Sequence, residues 1–173
     1  MGLDMYLEIR RDEYVSHYTK SKTLKKEWPK FIKENGPGLV SAEPNMVSRK
    51  TTWEVGYWRK ANQIHNWFLE HCGPRDYETG EVIDDCRSIE IPVGKLEQLL
   101  EECKMVLADH GLAQVYLPTQ SGFFFGSTAY DEYYFEDLEH TIKVLEPVIE
   151  FMHNIKDKCK GNDWYDVIYT ASW

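Results

Sequence analysis

The chain has no long hydrophobic run, no Cys-x-x-Cys pair and a shortage of basic side chains: across 173 residues, 20 Lys and Arg stand against 29 Asp and Glu. Each shortage excludes a class of protein. The uninterrupted apolar stretches are only a few residues long, far below the ~20 that span a bilayer, so neither a transmembrane helix nor a membrane partner is expected. The opening Met1-Gly2-Leu3-Asp4-Met5-Tyr6-Leu7-Glu8 lacks the basic start and apolar core of a secretory signal. Tyr6 also stands where a myristoylation pattern wants Ser or Thr. The four cysteines, Cys72, Cys86, Cys103 and Cys159, are too few and too scattered for a disulfide scaffold. A reduced, cytoplasmic protein is expected. The net charge of -9 argues against direct nucleic-acid binding, because phosphate contacts need Lys and Arg.

What the chain does have is aromatic: 11 Tyr, 7 Phe and 6 Trp, with 42% of residues hydrophobic. That composition suits a folded domain with a real core, not a disordered chain. Charge is divided by position. Residues 1–60 hold 12 basic and 8 acidic side chains, a net of +4, while residues 61–173 hold 8 and 21, a net of -13. Complementary halves of this kind suggest a homo-oligomer, or simply two differently solvated faces.

Hydrophobic spacing gives the elements. Leu3, Met5, Leu7 and Ile9 alternate, as in a strand over 3–10. Six lysines surround Leu24, Trp28, Phe31 and Ile32 in a short amphipathic helix over 20–35, and Gly36-Pro37-Gly38 and Pro44-Asn45 mark a loop. The 20–50 stretch reads as an insertion or mobile segment. A helix over 55–71 places Tyr57, Ala61, Ile64 and Phe68 on its core stripe, leaves Arg59, Gln63, Asn66 and Glu70 solvated, and ends at Gly73-Pro74. Ile89 and Ile91 alternate in a short strand over 88–93. Leu96, Leu99, Leu100, Cys103, Val106 and Leu107 define a helix that stops at Gly111, with Cys103 a small buried hydrophobe. Residues 113–117 suggest a strand. Phe135, Leu138, Ile142, Leu145, Ile149 and Met152 step by three and four through a helix over 129–155, started by a Thr128–Asp131 capping box and kinked or split at Pro147. Tyr165, Val167 and Tyr169 alternate in a final strand. The sum is a single α+β domain, a small, mostly antiparallel sheet packed with about four helices.

Three stretches together resemble a family of small proteins encoded by bacteriophages and prophages. They are Gly2-Leu3-Asp4-Met5-Tyr6-Leu7, the run from Tyr57-Trp58-Arg59-Lys60-Ala61-Asn62 to Ile64-His65 and Trp67-Phe68, and Pro118-Thr119-Gln120-Ser121-Gly122-Phe123-Phe124-Phe125-Gly126-Ser127-Thr128. The terminal Ser172-Trp173 fits as well. The resemblance implies a phage or mobile-element origin and work inside a bacterial cell. It brings no catalytic residue with it.

The residues themselves suggest where chemistry could sit. Trp58, Asn62 and His65 share one shoulder of the expected helix with Arg59 at its margin, combining a ring, an amide, an imidazole and a guanidinium. That set suits a planar polar ligand such as a nucleotide. In the loop after Pro118, Gln120, Ser121 and Ser127 offer hydrogen bonds, and Phe124 with its neighbours offers a wall or a core plug. The expected ligand site is therefore Trp58, Arg59, Asn62, His65, Gln120, Ser121, Phe124 and Ser127. His65 would be the general base if a reaction is catalysed. His71, Cys72 and Cys86 with Asp84 and Asp85 make an awkward zinc chelate, so no metal is assigned. No P-loop or dinucleotide fingerprint occurs, so no cofactor is assigned. The acidic segment Asp131–Asp137 reads as a solvated helix start. The functional expectation is an accessory binding protein that sequesters a small nucleotide-like host molecule or engages a host protein, as in counter-defence. Two alternatives stand beside it: an acidic DNA mimic that inhibits a host enzyme, and a small nucleotide-modifying enzyme using His65.

Overall fold

The computed structural model describes residues 2–16, 46–156 and 163–173. The expected amphipathic helix over 20–35, its loop and Cys159 lie outside the described residues. Four strands and four α-helices follow one another in those that are described. Strand β1 runs Asp4–Ser16 and β2 runs Met46–Arg59. Helix α1 is Asn62–Cys72, β3 is Ile89–Glu90 and α2 is Val93–Ala108. A 3-10 turn at His110–Leu112 leads into the short α3, Ala113–Tyr116. Helix α4 is Glu132–Lys156 and β4 is Asp163–Ser172. The sheet order is β2-β1-β4-β3, and every pair is antiparallel. The protein is an α+β domain, as the spacing predicts.

Alternation decides which face of the sheet is inside. Met5, Leu7 and Ile9 of β1 lie opposite Ala171, Tyr169 and Val167 of β4, and all six are buried. Trp58 lies opposite Met5 on the other side, and its side chain joins the same core. Helices cover this face. Phe68 of α1 stacks on Tyr169 with ring centroids 4.3 Å apart. Leu96, Leu99, Cys103 and Val106 of α2 and Leu138, Leu145 and Val148 of α4 close the core. Removing such side chains from water supplies about 2 kcal/mol each. Among the described residues no helix is long and apolar enough to cross a membrane.

The clearest correction concerns residues 55–59. Helical spacing places them in a helix, yet they end strand β2, and the helix begins only at Asn62. Pairing with β1 decides this: Tyr57 lies opposite Tyr6 and Gly56 opposite Leu7. The pleat turns Trp58 inward and leaves Tyr57 half-exposed on the other face. Tyr57 is therefore not core. Lys60, with φ +63°, makes the strand-to-helix corner, and its N–H donates to the Leu3 carbonyl at 2.8 Å.

Four smaller corrections follow from local geometry. Ala113–Tyr116 form the helical turn α3 instead of a strand, because Ala113 and the following Leu117 are buried four residues apart while Val115 is exposed. Helix α2 ends at Ala108, before Gly111, which lies in the 3-10 turn. Asp131, not Thr128, caps α4: its carboxylate accepts the Tyr134 N–H at 3.2 Å. Pro147 does not split α4, which runs as one helix through it.

Candidate functional site

Helix α1 is the hub around which the candidate residues gather. Seven of its eleven residues are buried, including the polar Asn62, Gln63 and His65. A buried polar group costs free energy unless it is bonded, and each of these three has its partners.

Asn62 clasps the aromatic loop. Its Nδ2 donates to the carbonyls of Phe125 at 3.0 Å and Ser127 at 2.8 Å, and its Oδ1 accepts the Gln120 N–H at 2.8 Å. The loop is pinned a second time where the Leu3 N–H donates to the Phe124 carbonyl at 3.1 Å. The three phenylalanines then take different roles. Phe125 is core, Phe124 is half-buried against it, and Phe123 is 95% exposed. Gly126 adopts φ +87°, and a Cβ there would approach the Lys60 Cβ to 3.1 Å. Glycine lets the loop and the β2–α1 corner close on one another.

His65 lies in a different network. It is 1% exposed, with Nδ1 2.7 Å from the Tyr169 hydroxyl and Nε2 3.2 Å from an Asp84 carboxylate oxygen. Asp84 only accepts, so Nε2 carries the proton and Nδ1 accepts from Tyr169. Burial pushes the imidazole pKa down, against the pull of Asp84. Phe125 and Trp173 pack edge-on against the ring. Both nitrogens are engaged, which leaves no free lone pair for proton abstraction in this arrangement. Trp58 is 2% exposed and its indole N–H donates to Thr141 Oγ1 at 2.9 Å. Neither ring offers a face to a ligand.

The expected eight residues therefore divide. Trp58, Asn62 and His65 are interior. Phe124 is half-buried, and Gln120 is held by its backbone, with its side-chain Oε1 buried and without a hydrogen-bond partner. Ser121 is exposed. Arg59 and Ser127 meet in an open groove of about 350 Å³, which also takes in Lys60, Gln63, Gly126, Asp131, Tyr133 and Asp137.

Each wall of that groove has a structural cause. Arg59 ends β2, with its side chain 61% exposed, and Lys60 turns the corner. Opposite them, the cap residue Asp131 and the first turns of α4, with Glu136 and Asp137, form the other wall, the Tyr133 ring 77% exposed beside them. Gln63 ties the two walls together: its Nε2 donates to Asp137 Oδ2 at 3.1 Å. Burial raises the Asp137 pKa, while the Gln63 bond and His140 pull it down. Gln63 is thus a buried strut, where helical spacing makes it a solvated residue. The groove sets two cations facing three carboxylates next to an exposed ring.

Lys60, Gln63, Tyr133 and the three carboxylates are absent from the site read out of the sequence. The signal that could have found them is Tyr130, Tyr133 and Tyr134 interleaved with Asp131, Glu136 and Asp137. Tyr134 is core and Tyr130 packs against it, so Tyr133, exposed among those carboxylates, is the ring that a solvated helix start does not need.

The residues considered for zinc are separately engaged. His71 Nδ1 bonds the Trp67 carbonyl, Asp84 meets His65, and Asp85 pairs with Arg87. Among the described residues no group of three His, Cys, Asp or Glu could hold a metal ion. No family model matches the chain, and neither a curated protein nor a solved structure matches it.

Proposed function

We propose that this chain is a binding protein that holds a small nucleotide-like molecule in the groove between the β2–α1 corner and the start of α4. The observation that carries the reading is the groove's make-up: Arg59 and Lys60 on one side, Asp131, Glu136 and Asp137 on the other, and the Tyr133 ring beside them. A bare anion would be repelled by the carboxylates, and a bare cation by the guanidinium and ammonium. A nucleotide carries what each wall wants. Its phosphate suits Arg59 and Lys60, its base N–H groups suit carboxylate acceptors, and its flat ring suits stacking on a tyrosine. The resemblance to phage and prophage proteins extends the proposal: an accessory protein in a bacterial cell that sequesters a host signal, as in counter-defence.

Calorimetric titration with adenosine and guanosine monophosphates and diphosphates, with nucleosides and inorganic phosphate as controls, tests the reading. A nucleotide should bind better than either control. Arg59→Ala should weaken it about tenfold or more, the loss expected for a hydrogen bond to a charged group. Tyr133→Ala should weaken it by a similar factor through lost stacking. Silence from every nucleotide, or binding indifferent to both substitutions, would sink the proposal.

A further inference from the structure

Strand β2 is an edge of the sheet. Its one partner among the described residues is β1, and none of the described strands lies along the other side of its backbone. Helix α4 covers the far end, where His140 Nε2 bonds the Tyr57 carbonyl at 2.9 Å and Val144 lies against Gly56. Among the described residues nothing comparable covers the near end. Ser48, Lys50, Thr52, Trp53 and Glu54 are exposed, and Trp53 keeps 44% of its surface in water. This run has regular register, holds neither Pro nor Gly, and ends at a bulge where Val55 has no partner in β1. An uncovered edge of that length is a template for another strand.

We infer that a second copy of this chain pairs with β2 edge to edge, antiparallel about a two-fold axis at Thr52. The charge pattern selects both occupant and register. A two-fold axis perpendicular to the sheet must place some residue opposite itself. With Thr52 there, Lys50 of each copy lies opposite Glu54 of the other, giving two cross-strand ion pairs on one face. On the other face Thr51 meets Trp53, a β-branched residue against an aromatic. An axis at Lys50 would set two ammonium groups together, and an axis at Thr51 would leave Glu54 opposite Ser48. Within its own sheet, Glu54 lies across from Glu8, a like-charged pair. Lys50, 3.7 Å from Asp12 across its own sheet, is the cation that each copy brings beside that pair in the other. The edge therefore complements itself in one register.

Sedimentation velocity and native mass spectrometry of the full chain test this. The wild-type protein should be a dimer that dissociates with salt. Glu54→Lys should shift it to monomer at the same concentration, and adding Lys50→Glu should restore the dimer. Because exposed charge changes leave the core alone, circular dichroism should show all three proteins equally folded. Register is tested separately: on oxidation Thr52→Cys should form a disulfide-linked dimer, whereas Thr51→Cys, two positions out of line with itself, should not. A wild-type monomer, a double variant that behaves like Glu54→Lys, or preferential linkage through position 51 would each overturn the proposal.

Discussion

Asn62 holds three groups of the aromatic loop from one buried position, and Asn62→Ala measures its role. The substitution removes three hydrogen bonds at a position 1% exposed: two donated to the Phe125 and Ser127 carbonyls and one accepted from the Gln120 N–H. At about 1 kcal/mol net for each, the loss is about 3 kcal/mol. For a chain of this size that lowers Tm by about 6–12 °C. It is a large share of the ~5–15 kcal/mol that holds a domain folded, but not all of it. The loop should suffer first, because the Leu3–Phe124 bond and the weaker bonds at Pro118 and Thr119 then hold its backbone. Urea unfolding followed by tryptophan fluorescence gives the free energy, and amide exchange at Gln120 reports the loop. Asn62→Asp sharpens the test. It keeps an acceptor for Gln120 but points a carboxylate oxygen at two carbonyls, so the folded state resists ionisation and the pKa of the new group rises. Stability of that variant should be greatest below about pH 4 and fall as pH climbs through the raised value. An alanine variant within about 1 kcal/mol of wild type, with Gln120 still protected, would refute the clasp.

Three further outcomes follow from the same geometry. His65 has its pKa lowered by burial, so the unfolded chain takes up a proton near pH 6.5 and the folded one only at a lower pH. Its contribution to stability is present above that pH and is lost as pH falls toward the lower folded value. Nitrogen-15 spectra above about pH 7 should show a neutral ring protonated on Nε2, and a ring protonated on Nδ1 would contradict the Asp84–His65–Tyr169 assignment. Tyr169→Phe strips the donor from Nδ1 and should cost about 1–3 kcal/mol in urea unfolding. A Cβ at position 56 would approach Val144 Cγ1 to 2.5 Å and Trp58 Cη2 to 3.0 Å, so Gly56→Ala should destabilise by about 1–3 kcal/mol. A melting curve that overlays wild type would show that the β2–α4 contact is looser than described.

Some of this protein is legible without coordinates. The alternation of Leu3, Met5, Leu7 and Ile9, and of Tyr165, Val167 and Tyr169, follows from the pleat of a half-buried strand. The three-and-four stepping from Phe135 to Met152 follows from a helix with one buried face. These patterns report only whether a side chain faces the core, which is why they survive without knowledge of neighbours. They fail where two periods fit the same residues. Tyr57, Ala61, Ile64 and Phe68 make a helical stripe on paper, while Thr51, Thr52, Trp53, Val55, Tyr57 and Trp58 are equally a strand's composition.

Hydrogen bonding to β1, fifty residues earlier, resolves that ambiguity, and no local signal contains it. The same holds for the site. Arg59 and Ser127 were named from chemistry alone, but the Asp131–Asp137 wall reaches them only because Gln63 braces Asp137 and Asn62 draws in the loop. Which polar residues became struts and which line the groove was set by burial, and burial is a property of the assembled fold. The pairing of distant charges on either side of one groove was settled by tertiary structure, because only packing decides which charges become neighbours.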